Sequence, residues 1–258
     1  MLYYLHVIRN VEIAAFALSA VSNGLLIFLI LMTTPREIGQ YKYLLLAFAA
    51  NNLYYATITL ILEPRITSYG HTFALLTLGW PIQFGACLFG AAFSQTFVLL
   101  AYHFVYRYIV LCRPSLITLF ERPWFVALLF VGFFMESFIW GVMCYFLFPP
   151  DIEVKDFLYQ VMLLKYDVNV YKDGLMAAQY WRDDGSLNIR CLLGFIGFLS
   201  IVSAGLTVMI ICSVKVLQKL HSSTLSRRTE RLQRQLFVAL LFQTIDPVFC
   251  VFIPVAFN

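Results

Sequence analysis

The sequence predicts an all-α membrane protein, a single bundle of helices packed inside a bilayer. Three observations predict it. Of 258 residues, 61% are hydrophobic and 12% are charged, whereas soluble domains carry about 25% charge. The apolar residues gather into six runs, each long enough to cross about 30 Å of hydrocarbon at about 1.5 Å per residue. The segments between runs alternate in charge, basic on one side and acidic on the other. Nothing divides the chain into separate cores, so one transmembrane domain over residues 1–258 is expected.

The first run, about 11–32, is too long for a cleaved signal and lacks a small-residue exit, so it reads as a span. The second, about 43–62, carries the adjacent amides Asn51 and Asn52. The third, about 80–111, would extend about 48 Å as a helix, and Pro114 stops it. The fourth, about 124–148, holds Glu136 inside "FFMESFIW". A long acidic loop follows, about 149–188. The fifth run, about 189–217, is again longer than a span needs, so it and the third should tilt or project. The sixth, about 236–257, contains Asp246, Pro247 and Pro254. Each proline frees a carbonyl one turn back, which suits a pivot as well as a static kink.

The short segments at 33–42, 112–123 and about 218–235 are rich in Lys and Arg, which places them in the cytoplasm. The N-terminus and the acidic loop then lie outside. The third basic segment, "SSTLSRRTERLQRQLF", sets Arg227, Arg231 and Arg234 at helical spacing with Arg228 beside them, and Ser226 is a candidate N-cap. Such a face suits a protein partner, or anionic lipid at about 1 kcal/mol per charge.

Candidate chemistry is sparse. There is no HExxH, no GxSxG and no Gly-rich phosphate loop, so neither an enzyme nor a bound cofactor is expected. Nucleic-acid binding is excluded because the basic residues sit on short membrane-edge loops. The six cysteines are isolated singles with no CxxC, so no metal site is expected. Cys87 and Cys191 fall near the outer side, where a disulfide and two small buried hydrophobes are both open readings. An acid costs about 2.5–3.5 kcal/mol at the centre of an inserted helix. Glu136 and Asp246 therefore need partners, with Asn51, Asn52 and Gln243 as candidates. Alternatively, they line the path of a transporter or channel subunit. Arg107 sits among Tyr102, Tyr106 and Tyr108. It either snorkels to the interface or meets a cytoplasmic partner.

Three stretches carry a resemblance: "GQYKYLLLAFAANNLYY" (39–55), "HFVYRYIVLCRPSLITLF" (103–120) and "SRRTERLQRQLFVALLFQTIDPVFCVFIP" (226–254). They resemble the nematode seven-transmembrane chemoreceptors of the Str type, the group that includes the diacetyl odorant receptor. The resemblance covers essentially the whole chain. It implies a G-protein-coupled-receptor-like helix bundle and a chemosensory, olfactory function. A small and volatile odorant would be sensed, with signalling through a heterotrimeric G protein. The setting would be the plasma membrane, in the cilia of chemosensory neurons. It places Arg107 where such receptors carry the arginine that ends the third helix, and implies G-protein contact by Arg107, Tyr108, Arg113, Arg227, Arg228, Arg231 and Arg234. In Asp-Arg-Tyr receptors an acid precedes that arginine; here Tyr106 does. Candidate ligand-pocket residues are Phe84, Phe89, Phe93, Phe195, Phe198 and Phe252, and Pro247 and Pro254 would be the helix pivot. Asp246 departs from the family pattern, which has an apolar residue before the span-six proline. Six spans are read and the seventh is missing, so the chain reads as a truncated copy or fragment of such a receptor. A receptor oligomer stays open as a further partner.

Overall fold

The computed structural model describes residues 2–33, 39–70, 72–78, 82–172, 175–182, 184–222 and 227–247. In order they form helix α1 (Leu2–Thr33), α2 (Tyr41–Leu62), strands β1 (Pro64–Tyr69) and β2 (Thr72–Thr77), then α3 (Ile82–Cys112). A 3₁₀ segment (Pro114–Glu121) leads into α4 (Pro123–Leu147), followed by α5 (Ile152–Tyr166), β3 (Met176–Gln179), α6 (Ile189–Ser222) and α7 (Arg227–Pro247). Among the described residues five stretches are long and apolar enough to cross a membrane: His6–Met32, Tyr41–Leu62, Gln83–Cys112, Pro123–Leu147 and Ile189–His221. These match the first five expected spans. The sixth begins within α7, and its remainder lies outside the described residues.

Helix α3 is the axis of the bundle. It packs against α2, α4, α6 and α7, and it is the most buried of the five spans. The largest core cluster joins Phe48 of α2 to Phe97, Leu100 and Phe104 of α3, to Met209, Val216 and Leu220 of α6, and to Phe237 and Leu240 of α7. α1 and α4 lie at the periphery and expose Leu18, Val21, Phe134 and Phe138. Large apolar side chains on the outside are what a bilayer-facing surface requires.

Polar groups carried into the bundle pair with one another. Asn52 donates to Asn23 Oδ1 at 3.2 Å, joining α2 to α1, and Asn51 donates to Thr96 Oγ1 at 3.4 Å, joining α2 to α3. Ser94 donates to Glu136 Oε2 at 3.0 Å, joining α3 to α4. The sequence expectation that Glu136 meets Asn51, Asn52 or Gln243 is therefore corrected. Both amides are spent on other helices, and Gln243 is exposed on α7.

One end of the bundle carries a folded cap where the sequence predicts loop. β1 and β2 form an antiparallel hairpin in register Tyr69↔Thr72 to Pro64↔Thr77. β3 joins β2 antiparallel, with Thr72 opposite Gln179, so β2 is the central strand. α5 lies on this sheet. Its buried residues Val154, Leu158, Met162 and Tyr166 recur every four positions, one stripe of a helix. The stripe packs on Ala74, Leu76, Leu175 and Ala177. The cap meets α3 at Gly85, where an added Cβ would stand 2.5 Å from Thr77 Oγ1 and 3.3 Å from Leu62 Cδ2. Only glycine permits that approach.

Two ion clusters fasten the cap. Arg65, only 6% exposed, forks onto both carboxylate oxygens of Glu12 in α1 and also reaches Glu63 at 3.6 Å. Arg9 meets Glu63 at 2.8 Å and donates to the Leu60 carbonyl at 2.7 Å. Glu63 closes α2 with a positive φ of 46°, an uncommon conformation for a residue with a side chain, and its N–H donates to Thr59 O. Across the cap, Arg190 of α6 donates to Asp151 Oδ1 and to the Pro149 carbonyl, both at 2.7 Å.

Removing Glu12 leaves the buried Arg65 with its longer contact to Glu63, a poorer compensation for its charge. Glu12→Gln is therefore expected to lower stability by about 3 kcal/mol, read as the thermal unfolding midpoint in detergent. The double variant Glu12→Leu with Arg65→Met should recover most of that loss, because both charges then leave together. A double variant as unstable as the single would show that the cap needs the ion pair itself.

Candidate functional site

Two side-chain clusters stand out, one toward each end of α3. The first lies at the basic end. His103, Tyr106 and Arg107 are spaced i, i+3 and i+4, so α3 presents them on one face. Tyr41, the first residue of α2, receives that face. His103 Nδ1 lies 2.9 Å from the Tyr41 hydroxyl. The Tyr41 ring stacks on Tyr106 with centroids 5.1 Å apart and 26° between planes. The Arg107 guanidinium carbon lies 4.1 Å from the Tyr41 ring centroid, a cation–π distance. Arg107 is 3% exposed. The snorkelling expectation is thus corrected: the side chain turns inward onto an aromatic face rather than outward to the interface.

The cluster continues into the neighbouring segments. Tyr106 meets Phe120 of the 3₁₀ segment edge-on at 4.9 Å, and Phe120 meets Phe125 of α4 at 5.1 Å. On another face of α3, Phe104 meets Phe237 of α7 at 6.1 Å and 90°. Tyr108 is half-buried beside the main core, and Arg113 is exposed just beyond the end of α3. Arg231 and Arg234 are exposed and line an open groove of about 460 Å³ along α7 with Gln235, Val238, Ala239 and Phe242. Arg227 and Arg228 stand in the first turn of α7 with side chains outside the described residues. Ser226, Phe252 and Pro254 are outside the described residues altogether. Pro247 is the last residue of α7, and neither its side chain nor that of Asp246 is described.

The second cluster is aromatic and lies beneath the cap. Phe198 of α6 stacks on Trp140 of α4 at 4.3 Å and 13°, and on Phe148 at 5.2 Å and 20°. Cys87 and Cys144 pack beside Trp140. Phe73, Met176 and Tyr180 of the cap close over Phe148 and Phe198. Among the pocket candidates the sequence put forward, Phe198 sits here. Phe89 and Phe93 instead pack on Tyr55 of α2, at 5.7 and 6.4 Å. Phe195 is half exposed and meets Tyr180 edge-on at 5.6 Å, while Phe84 is 58% exposed.

The disulfide left open by the sequence is not formed. Cys87 and Cys191 are both free and buried. Cys87 packs with Trp140 and Cys144, whereas Cys191 packs with Phe148 and Ala178 and points its thiol at the Leu147 carbonyl, 3.7 Å away. Of the two readings, the small buried hydrophobe holds. Among the described residues no group of three or more His, Cys, Asp or Glu is placed to hold a metal ion.

Sequence reasoning missed Tyr41 and Trp140. Tyr41 is one of fifteen tyrosines, and nothing in "GQYKYLL" sets it apart from Tyr43, which is exposed. Trp140 is one aromatic among many in its span.

Comparison with known proteins identifies the family. The pattern of the family described as "Serpentine type 7TM GPCR chemoreceptor Str" matches residues 8–258. The chain is 28% identical to "Serpentine receptor class r-10" of Caenorhabditis briggsae, over 97% of this chain and 76% of that one. It is 29% identical to the Caenorhabditis elegans protein of the same name, over 87% and 69%. It is 23% identical to "G-protein coupled receptor str-33" of Caenorhabditis elegans, over 96% and 76%. With its helical bundle and a family match over nearly its whole length, the chain belongs to the Str family of serpentine seven-transmembrane chemoreceptors, which are G-protein-coupled receptors.

Proposed function

We propose that this chain senses a small, apolar, volatile molecule beneath its cap and passes the signal to a heterotrimeric G protein at its basic end. The protein sits in the plasma membrane of chemosensory cilia, with its N-terminus and cap outside. The observation that carries the reading is the place of Arg107. It is a buried cation in the last turns of the central helix, beside the segments richest in Arg and Lys. A charge held at depth costs free energy unless it is used. A partner docking between the basic segments would give Arg107 a new contact as α7 moves away from α3. Tyr108, Arg113, Arg227, Arg228, Arg231 and Arg234 would supply the surrounding surface, with charge serving mainly recognition and rate of encounter.

The cap supports the other half of the reading. Beneath it lies an aromatic cluster with few polar groups, the lining a small apolar ligand favours. Two sets of variants test these roles in cells expressing a heterotrimeric G protein and challenged with an odorant panel. Arg107→Ala is expected to bring odorant-evoked nucleotide exchange to background while surface expression holds. An unchanged response would remove Arg107 from the mechanism.

Phe198→Ala should shift potency by about tenfold, matching the loss of roughly 1.5 kcal/mol from a stacked aromatic. Phe84→Ala, which faces outward, should stay within about twofold, since exposed substitutions usually change free energies by less than 0.5 kcal/mol. Equal effects at the two positions would place the ligand elsewhere.

A further inference from the structure

A guanidinium in a membrane bundle has to be compensated, and this structure shows what lies over the one at Arg107. The Tyr41 ring carries the cation at 4.1 Å, and three contacts fix that ring. Its hydroxyl pairs with His103, its plane stacks on Tyr106, and its backbone opens α2 directly after the Gly39–Gln40 turn. The ring is itself only 5% exposed. Aromatic faces attract cations through their quadrupole, most strongly where water is excluded. We propose that Tyr41 is the positioning residue that holds Arg107 at rest, an aromatic latch between α2 and α3 that must open before Arg107 can meet a partner. This rests on the reading of Arg107 as the G-protein contact.

The geometry makes the latch separable from the core. Arg107 faces Tyr41 of α2, while the contact with α7 runs through Phe104 and Phe237. The core of α3 with α6 and α7 is built from Phe97, Leu100 and Phe104. Moving the Tyr41 ring off Arg107 therefore leaves those contacts in place. Opening is also linked to the neighbouring segment, because Tyr106 carries Tyr41 on one side and Phe120 of the 3₁₀ segment on the other. A protein seated on the basic end would press on residues 39–42 and 114–121, the segments that flank the latch. Two restraints follow from chemistry alone. Phenylalanine at 41 keeps the ring and loses the hydroxyl. Leucine keeps approximate volume and loses the quadrupole.

The test uses the purified chain in lipid nanodiscs with no odorant. One readout is hydrogen–deuterium exchange of amides in residues 103–112. The other is nucleotide exchange on an added heterotrimeric G protein. Tyr41→Leu is expected to raise both, nucleotide exchange by roughly tenfold, while Tyr41→Phe stays within about twofold of the parent. Adding Arg107→Ala to Tyr41→Leu should keep the fast amide exchange and abolish nucleotide exchange. Phenylalanine analogues with one to three ring fluorines at position 41 guard against misfolding. They weaken the quadrupole at nearly constant volume, so both readouts should climb with each fluorine. A merely structural tyrosine would give loss of activity, not gain. Amide exchange at the parent's rate in both Tyr41→Leu and the fluorinated series would overturn the latch. Faster amide exchange with no nucleotide exchange in any variant would uphold the latch and overturn the G-protein reading instead.

Discussion

Polar groups carried into hydrocarbon must find partners inside the protein, and here those partners decide which helices touch. Lipid gives apolar helices no hydrophobic reason to associate, and the outward faces of α1 and α4 are as apolar as lipid itself. Interhelical hydrogen bonds and close packing have to supply the specificity. The chain provides a graded series of them. Amides join α1 to α2 through Asn23 and Asn52, and α2 to α3 through Asn51 and Thr96. A carboxyl joins α4 to α3 through Glu136 and Ser94. Arginines close both ends, Arg65 on Glu12 and Arg107 on Tyr41. Three of these five contacts involve α3, in keeping with its central place.

The spans were legible because they follow from a single requirement. A run of about 20 apolar residues can do little else but cross a bilayer, and the five spans described fall within a few residues of where the apolar runs put them. Proline at 114 marked the break of helix, and Pro123 is where the structure restarts it. The cap was not read, although part of it was visible. Val154, Leu158, Met162 and Tyr166 are an apolar stripe of period four inside a segment called a loop because of its charge. The hairpin was harder. "PRITSYGHTFALLT" lies between two spans, and its second strand is completed by pairing with Ala177 and Ala178, about a hundred positions later. No local pattern carries that information.

The candidate site divides in the same way. Arg107 was identifiable because it is the one charged residue of the third apolar run. Its partner was not, because a cation–π contact needs only an aromatic face, and this chain has forty-four Phe, Tyr and Trp residues to choose from. Glu136 shows the same limit. Its need for a hydrogen bond was plain, but Ser94 lies forty-two positions away and became the partner only through the α3–α4 packing that Gly90 permits, where an added Cβ would stand 3.2 Å from Trp140 Nε1 and 3.3 Å from Cys144 Sγ.

The two ends of the molecule are joined by few elements. α3 packs against the cap at Gly85 and bears Arg107 about 33 Å further along, at about 1.5 Å per residue. α6 is the other through-going element, with Cys191 buried against the cap and Leu220 in the basic-end core. Phe198 of α6 stacks on Trp140 of α4 directly below the cap. Anything wedged between those two rings displaces α6 relative to α4. On the proposed reading, that displacement passes to α3 through the core that the two helices share around Phe104, Val216 and Phe237. A packed core shifts between discrete arrangements rather than deforming smoothly. On the proposed reading, the α3–α7 contact around Phe104 and Phe237 loosens first, and the Tyr41 ring over Arg107 sets how far the loosening must go before the arginine is released.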